Sequence, residues 1–110
     1  MKVTTKGHTT VIKDSTDDLG EFIAKLTHEI NTFKANNLIV DLSHYGPIEK
    51  KHLLFFKPLS TDHRRNKKSF VVVVSATDFN AFADDFVVVP TLLEAHDIIA
   101  MDEIERDLGF

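Results

Sequence analysis

Residues 37–43 read Asn-Leu-Ile-Val-Asp-Leu-Ser, and His44-Tyr45-Gly46-Pro47 and an apolar run from Ile48 to Phe56 follow at once. A β-forming block that stops at a Gly-Pro corner and passes into helix-like spacing is a strand feeding a helix. Glycine supplies the turn, and proline suits the first helical position. This unit restricts the chain to folds in which strands and helices alternate. In open sheets of that kind, recognition gathers at the carboxyl ends of the strands.

The flanking segments repeat the theme. Val3 to Thr5 and Thr9 to Ile12 are β-branched and separated by Lys6-Gly7-His8, which predicts a short, polar hairpin at a sheet edge. Leu19, Phe22, Ile23, Leu26, Ile30 and Phe33 recur at three- and four-residue intervals and predict a helix. Ser15 to Asp18 offers a capping pattern for its start, and Asn36-Asn37 a left-handed stop. After the strand Leu38–Leu42, a second helix carries Leu53, Leu54, Phe55, Phe56 and Leu59. Pro58 within that pattern predicts a kink or break near Lys57 before the helix reaches Arg64.

Phe70 to Val74 is continuously apolar, the mark of an interior strand covered on both faces. Thr77 to Phe82 can form a short helix, Phe86 to Val89 a last strand ended by Pro90, and Thr91-Leu92-Leu93-Glu94 a capping box. Beyond it the apolar face changes side. At about 100° per residue, Leu92, Ala95, Ile98 and Ile99 oppose Met101, Ile104 and Leu108, so a break near Met101 and a second short helix from Glu103 to Leu108 are expected. The order β-β-α-β-α-β-α-β-α predicts a single α/β domain over residues 1–110. Its sheet is mixed, mostly parallel and about five-stranded, with an edge hairpin and four to five helices, residues 102–110 forming a helical extension.

Composition narrows the function classes. A chain of 110 residues with 43% hydrophobic and 27% charged residues suits one soluble core. Without cysteine, disulfides, thiolate zinc sites and a thiol nucleophile are excluded. No leader-like or membrane-spanning run is present, so a cytoplasmic location and no membrane contact are expected. The net charge of -4 conceals an asymmetry: residues 49–68 carry a net +5 and residues 78–110 a net -8. Such fields suit internal pairing, a charged partner, or a homo-oligomer joined through basic and acidic faces.

The element order, the Asp41-Leu42-Ser43 strand end, the Val72-Val73-Val74 strand and the Thr91-Leu92-Leu93-Glu94-Ala95 helix start resemble the STAS domain of anti-sigma factor antagonists over residues 1 to about 101. The resemblance implies a STAS-like fold and a regulatory, non-enzymatic protein-interaction module. In that family an Asp-Ser-Ser-Gly tetrad heads a helix, and its first serine is phosphorylated by a partner kinase. Here the tetrad falls on Glu49-Lys50-Lys51-His52, with Lys50 at the serine's place. A cation cannot take that phosphoryl group, so the switch is lost while a docking surface can remain. Its expected centre is His44, Tyr45, Glu49, Lys50, Lys51 and His52, and its expected ligand is an unidentified protein partner.

The stretch from Val89-Pro90-Thr91-Leu92 through Glu105-Arg106-Asp107-Leu108-Gly109-Phe110 also resembles short bacterial proteins sometimes labelled ribonuclease Z. That label implies an RNA-processing hydrolase with two zinc ions and a His-x-His-x-Asp-His cluster. His8, His28, His44, His52, His63 and His96 contain no such cluster, so neither metal nor cofactor is expected. Asp41, Ser43 and His44 are triad residue types, but strand neighbours point to opposite faces and no nucleophile elbow is present. Arg64-Arg65-Asn66-Lys67-Lys68 lacks interleaved aromatics in an acidic chain, which argues against nucleic acid.

Overall fold

The computed structural model describes residues 1–14, 17–75 and 86–109. Five strands lie side by side in chain order: β1 (Lys2–Lys6), β2 (Thr9–Lys13), β3 (Asn37–Asp41), β4 (Phe70–Val73) and β5 (Val87–Val89). β1 pairs antiparallel with β2 through a turn in which Gly7 takes φ +60°, and each later neighbour pair is parallel. The mixed sheet with an edge hairpin is the architecture expected from the element order. A Cα radius of gyration of 13.0 Å fits one packed domain of this length.

Helix α1 (Leu19–Glu29) starts one residue after Asp18, whose carboxylate accepts the Glu21 N–H at 3.1 Å. Asp18 is therefore the cap, at the point where the apolar stripe begins; Ser15 lies outside the described residues. The expected left-handed stop at Asn36-Asn37 is not formed. A 3-10 turn over Ile30–Phe33 tightens the helix end instead, and Asn36 N–H donates to the Phe33 carbonyl at 3.0 Å, which leaves Asn37 free to open β3. The second helical region breaks around Lys57, as Pro58 demands: α2 (Lys50–Leu53) passes through a 3-10 turn (Leu54–Phe56) into α3 (Lys57–Arg65), with Pro58 in the first turn of α3. The short helix expected over 77–82 lies outside the described residues.

Alternation along the strands splits the core in two. Leu38, Val40, Leu42, Phe70, Val72 and Val88 face α1, α2 and α3, meeting Phe22, Leu26, Leu53, Phe56 and Leu59. Ile39, Val71, Val73 and Val89 face the other way, onto Ala95 and Ile99 of α4 (Leu92–Asp107). Both helical connections between parallel strands step the sheet in the same direction, so a common hand puts them on one face. Among the described residues, the helix that covers the other face is α4, which follows β5. Thr91 caps α4, its hydroxyl accepting the Glu94 N–H at 3.1 Å.

The expected break near Met101 is absent: α4 runs unbroken for 16 residues. The inward stripe turns polar instead of ending. After Ala95, Ile98 and Ile99 it presents Asp102, Glu103 and Arg106, which hydrogen-bond to buried Asn37 and Ser69 at the amino ends of β3 and β4. Met101, Ile104 and Leu108 need no burying surface of their own within the chain and stay exposed. Among the described residues no helix is long and apolar enough to cross a membrane.

Candidate functional site

The carboxyl ends of β2 and β3 form a rim that the local sequence builds step by step. The Asp41 carboxylate accepts the Ser43 N–H at 3.0 Å and the Ser43 hydroxyl at 2.7 Å, an Asx-type turn that stops the strand. A 3-10 turn over Ser43–Tyr45 follows, and Gly46, at φ +75°, reverses the chain toward Pro47 in a conformation that a side chain would strain. Tyr45 points back across the rim, its hydroxyl donating to the carboxylate of Asp14, which follows β2 and is only 4% exposed. The His44 ring leans on Tyr45 with centroids 4.3 Å apart. Asp41 and Ser43 are thus paired directly, and His44 is engaged elsewhere; the three triad residue types form no relay.

Past Pro47, Ile48 is buried and anchors the corner from below, while Glu49, Lys50, Lys51 and His52 are exposed. Lys50 is the first residue of α2. Lys51 and Glu49 pair at 3.4 Å, but both side chains are about 70% exposed, so solvent screening leaves the pair little weight in stability. The six expected residues therefore divide. His44 and Tyr45 belong to the turn tied to β2, and Glu49 to His52 form an exposed, cationic helix start.

His52 also borders a groove of about 490 Å³ between the start of α1 and the second helical region, lined by Asp17, Asp18, Leu19, Gly20, Ile23 and Phe55. Phe55 is 61% exposed at its mouth. The sequence sets Phe55 on the second helix among Leu53, Leu54 and Phe56 without distinguishing its face. The signal that could have found it is spacing: in four consecutive apolar residues on a helix, Leu53 and Phe56 share a face, and Phe55 must then look away from it.

The opposite end of the sheet holds a second polar assembly that no motif announced. Asn37 donates to Glu103 at 2.6 Å and accepts the Ser69 N–H at 2.9 Å; the Ser69 hydroxyl donates to Asp102 at 2.6 Å and accepts from the Arg106 guanidinium at 2.7 Å. Beside it lies a cleft of about 420 Å³ lined by Arg64, Lys67, Lys68, Asp102, Glu105 and Arg106. The basic end of α3 and the carboxyl half of α4 thus meet within one molecule, and the cleft between them is lined by the cations of Arg64, Lys67, Lys68 and Arg106 and the carboxylates of Asp102 and Glu105. Burial pushes the nearby His63 below its ordinary pKa of 6.5; a hydrogen bond to the Asn36 carbonyl opposes this, and Lys68 and Arg106 add to it.

No three His, Asp or Glu side chains converge as a metal-binding group among the described residues. His8, His28, His44, His52, His63 and His96 sit on six different parts of the fold. In comparisons with known proteins, the chain matches no family model and no curated protein.

Proposed function

We propose that this protein is a non-enzymatic interaction module, STAS-like in kind, that docks another protein on the carboxyl-end rim. The observation that carries the reading is Phe55, a large apolar side chain held in solvent at the mouth of the groove beside Lys50, Lys51 and His52. A partner segment that places an apolar side chain against Phe55, Leu19 and Ile23, and carboxylates near Lys50 and Lys51, would match both features. The Asp14–Tyr45 bond serves as a brace, holding the turn at a fixed height above β2.

The test is recovery of a partner from the source cell extract by immobilised protein, followed by measurement of direct binding between the purified pair. Lys50→Glu and Phe55→Asp should each weaken that binding at least tenfold while leaving the circular dichroism spectrum unchanged, since both side chains are exposed. A partner bound equally well by both variants rules out this surface. Metal-dependent cleavage of a transfer RNA precursor, above a metal-free blank, would instead favour the hydrolase that the second resemblance implies.

A further inference from the structure

Helix α4 has two apolar faces. Ala95, Ile98 and Ile99 rest on its own sheet, and nearly opposite them Leu93, Met101, Ile104 and Leu108 are 72%, 61%, 59% and 66% exposed. The outer stripe runs about 22 Å along the helix at 1.5 Å per residue. The ionised side chains around it, Glu94, Asp97, Glu105 and Asp107, are all acidic, because Arg106, the helix's one Arg or Lys, turns inward to Ser69 and Asn37.

The same side of the sheet is only partly covered. α4 packs over β3, β4 and β5. The β1–β2 hairpin beside it presents Lys2, Thr4 and Lys6 opposite Lys13, Val11 and Thr9. A groove of about 260 Å³ with a mostly apolar lining runs between Val11 and Thr4 on the strands and Leu92 and His96 on the helix. One molecule therefore carries, on one side, an acidic-flanked apolar helix and an open basic strand face of matching chemistry.

We propose that two copies of this chain associate face to face, the outer stripe of each α4 lying on the β1–β2 face of the other. Carboxylates of Asp97 and Glu105 then meet the lysines of the hairpin, and Leu93, Met101, Ile104 and Leu108 meet Val11, the threonine methyl groups and the lysine stems. Because donor and acceptor surfaces lie on the same side of the molecule, a two-fold axis satisfies both contacts at once and the assembly closes. The basic α3 lies across the sheet from most of α4, so pairing α3 with α4 between copies would be head-to-tail and would leave free ends. Pairing α4 with α4 alone would set carboxylates against carboxylates.

Sedimentation of the full chain across a concentration series at low and high salt tests this. The expected result is a mass rising from 12.4 kDa to twice that value, with a dissociation constant at least tenfold weaker in high salt. Combined Lys2→Glu, Lys6→Glu and Lys13→Glu in one variant, and Asp97→Lys with Glu105→Lys in another, should each give a monomer. An equal mixture of the two should restore a dimer, since each charge-reversed face then meets its complement. Ile104→Ser, which removes an apolar contact and leaves the charge unchanged, should also weaken the dimer, and a thermal melt confirms that each variant is folded. A wild-type monomer at every concentration, a dimer indifferent to the hairpin changes, or a mixture that stays monomeric would overturn the proposal. Partner binding at the Phe55 rim is unaffected by any of these outcomes, as that surface lies on the other helical layer.

Discussion

His63 illustrates how one side chain can tie stability to pH. It is 2% exposed, its Nε2 donates to the Asn36 carbonyl at 2.6 Å, and its ring meets Phe70 edge-on, an arrangement that suits the neutral imidazole. Its pKa in the folded protein lies below the unfolded value of 6.5, so the unfolded chain takes up the proton first. The stability that the neutral ring contributes is complete above pH 6.5 and is lost as pH falls through the interval beneath it. The urea midpoint should therefore decline from pH 7.5 to 5.5, and His63→Gln should decline less over that range. In the sequence His63 was one of six scattered histidines. Its burial depends on α3 folding back toward the end of α1, a tertiary fact that local spacing cannot carry. The exposure of Phe55 was not legible for the converse reason, since hydrophobicity reports what a side chain prefers and not whether the helix can turn it inward.

At the scale of elements, the strands, the hairpin, the Pro58 break and the Thr91 cap were legible because each rests on chemistry confined to a few neighbouring residues. Thr91→Ala should cost about 1 kcal/mol in urea unfolding, the usual loss when a capping hydroxyl is removed, whereas Thr91→Ser should be close to neutral. The continuity of α4 was not legible. Reading a change of apolar face as a break assumes that a helix must bury apolar residues along its whole length. Here Asn37 and Ser69, 33 or more residues before the side chains they bond, give Asp102, Glu103 and Arg106 hydrogen-bond partners that no local window contains. Likewise the turn at Gly46-Pro47 after β3 was legible, but the brace from Tyr45 to Asp14 joins two turns that only the sheet brings together.

For the whole molecule, the two sides of the sheet are unequal. Among the described residues, the layer under α1, α2 and α3 buries four phenylalanines, Phe22, Phe56, Phe70 and Phe86, whereas the layer under α4 is built from Ile39, Val71, Val73, Val89, Ala95 and Ile99. Less apolar area holds α4, and the bonds at its carboxyl half lie partly within reach of water. Amide hydrogen exchange should find α4 opening before β3 and β4, and Ile99→Ala, at about 2–5 kcal/mol, should widen that gap by loosening α4 in particular. Equal protection of α4 and the central strands would show that the two layers open together.

Strand order in space repeats strand order along the chain. Every strand therefore finds its first neighbour in the segment just made, and no gap has to be held open for a later one. Emerging residue by residue during synthesis, the sheet can be laid down from one edge to the other, each new strand joining a completed border. α4 comes last and closes over a surface already assembled.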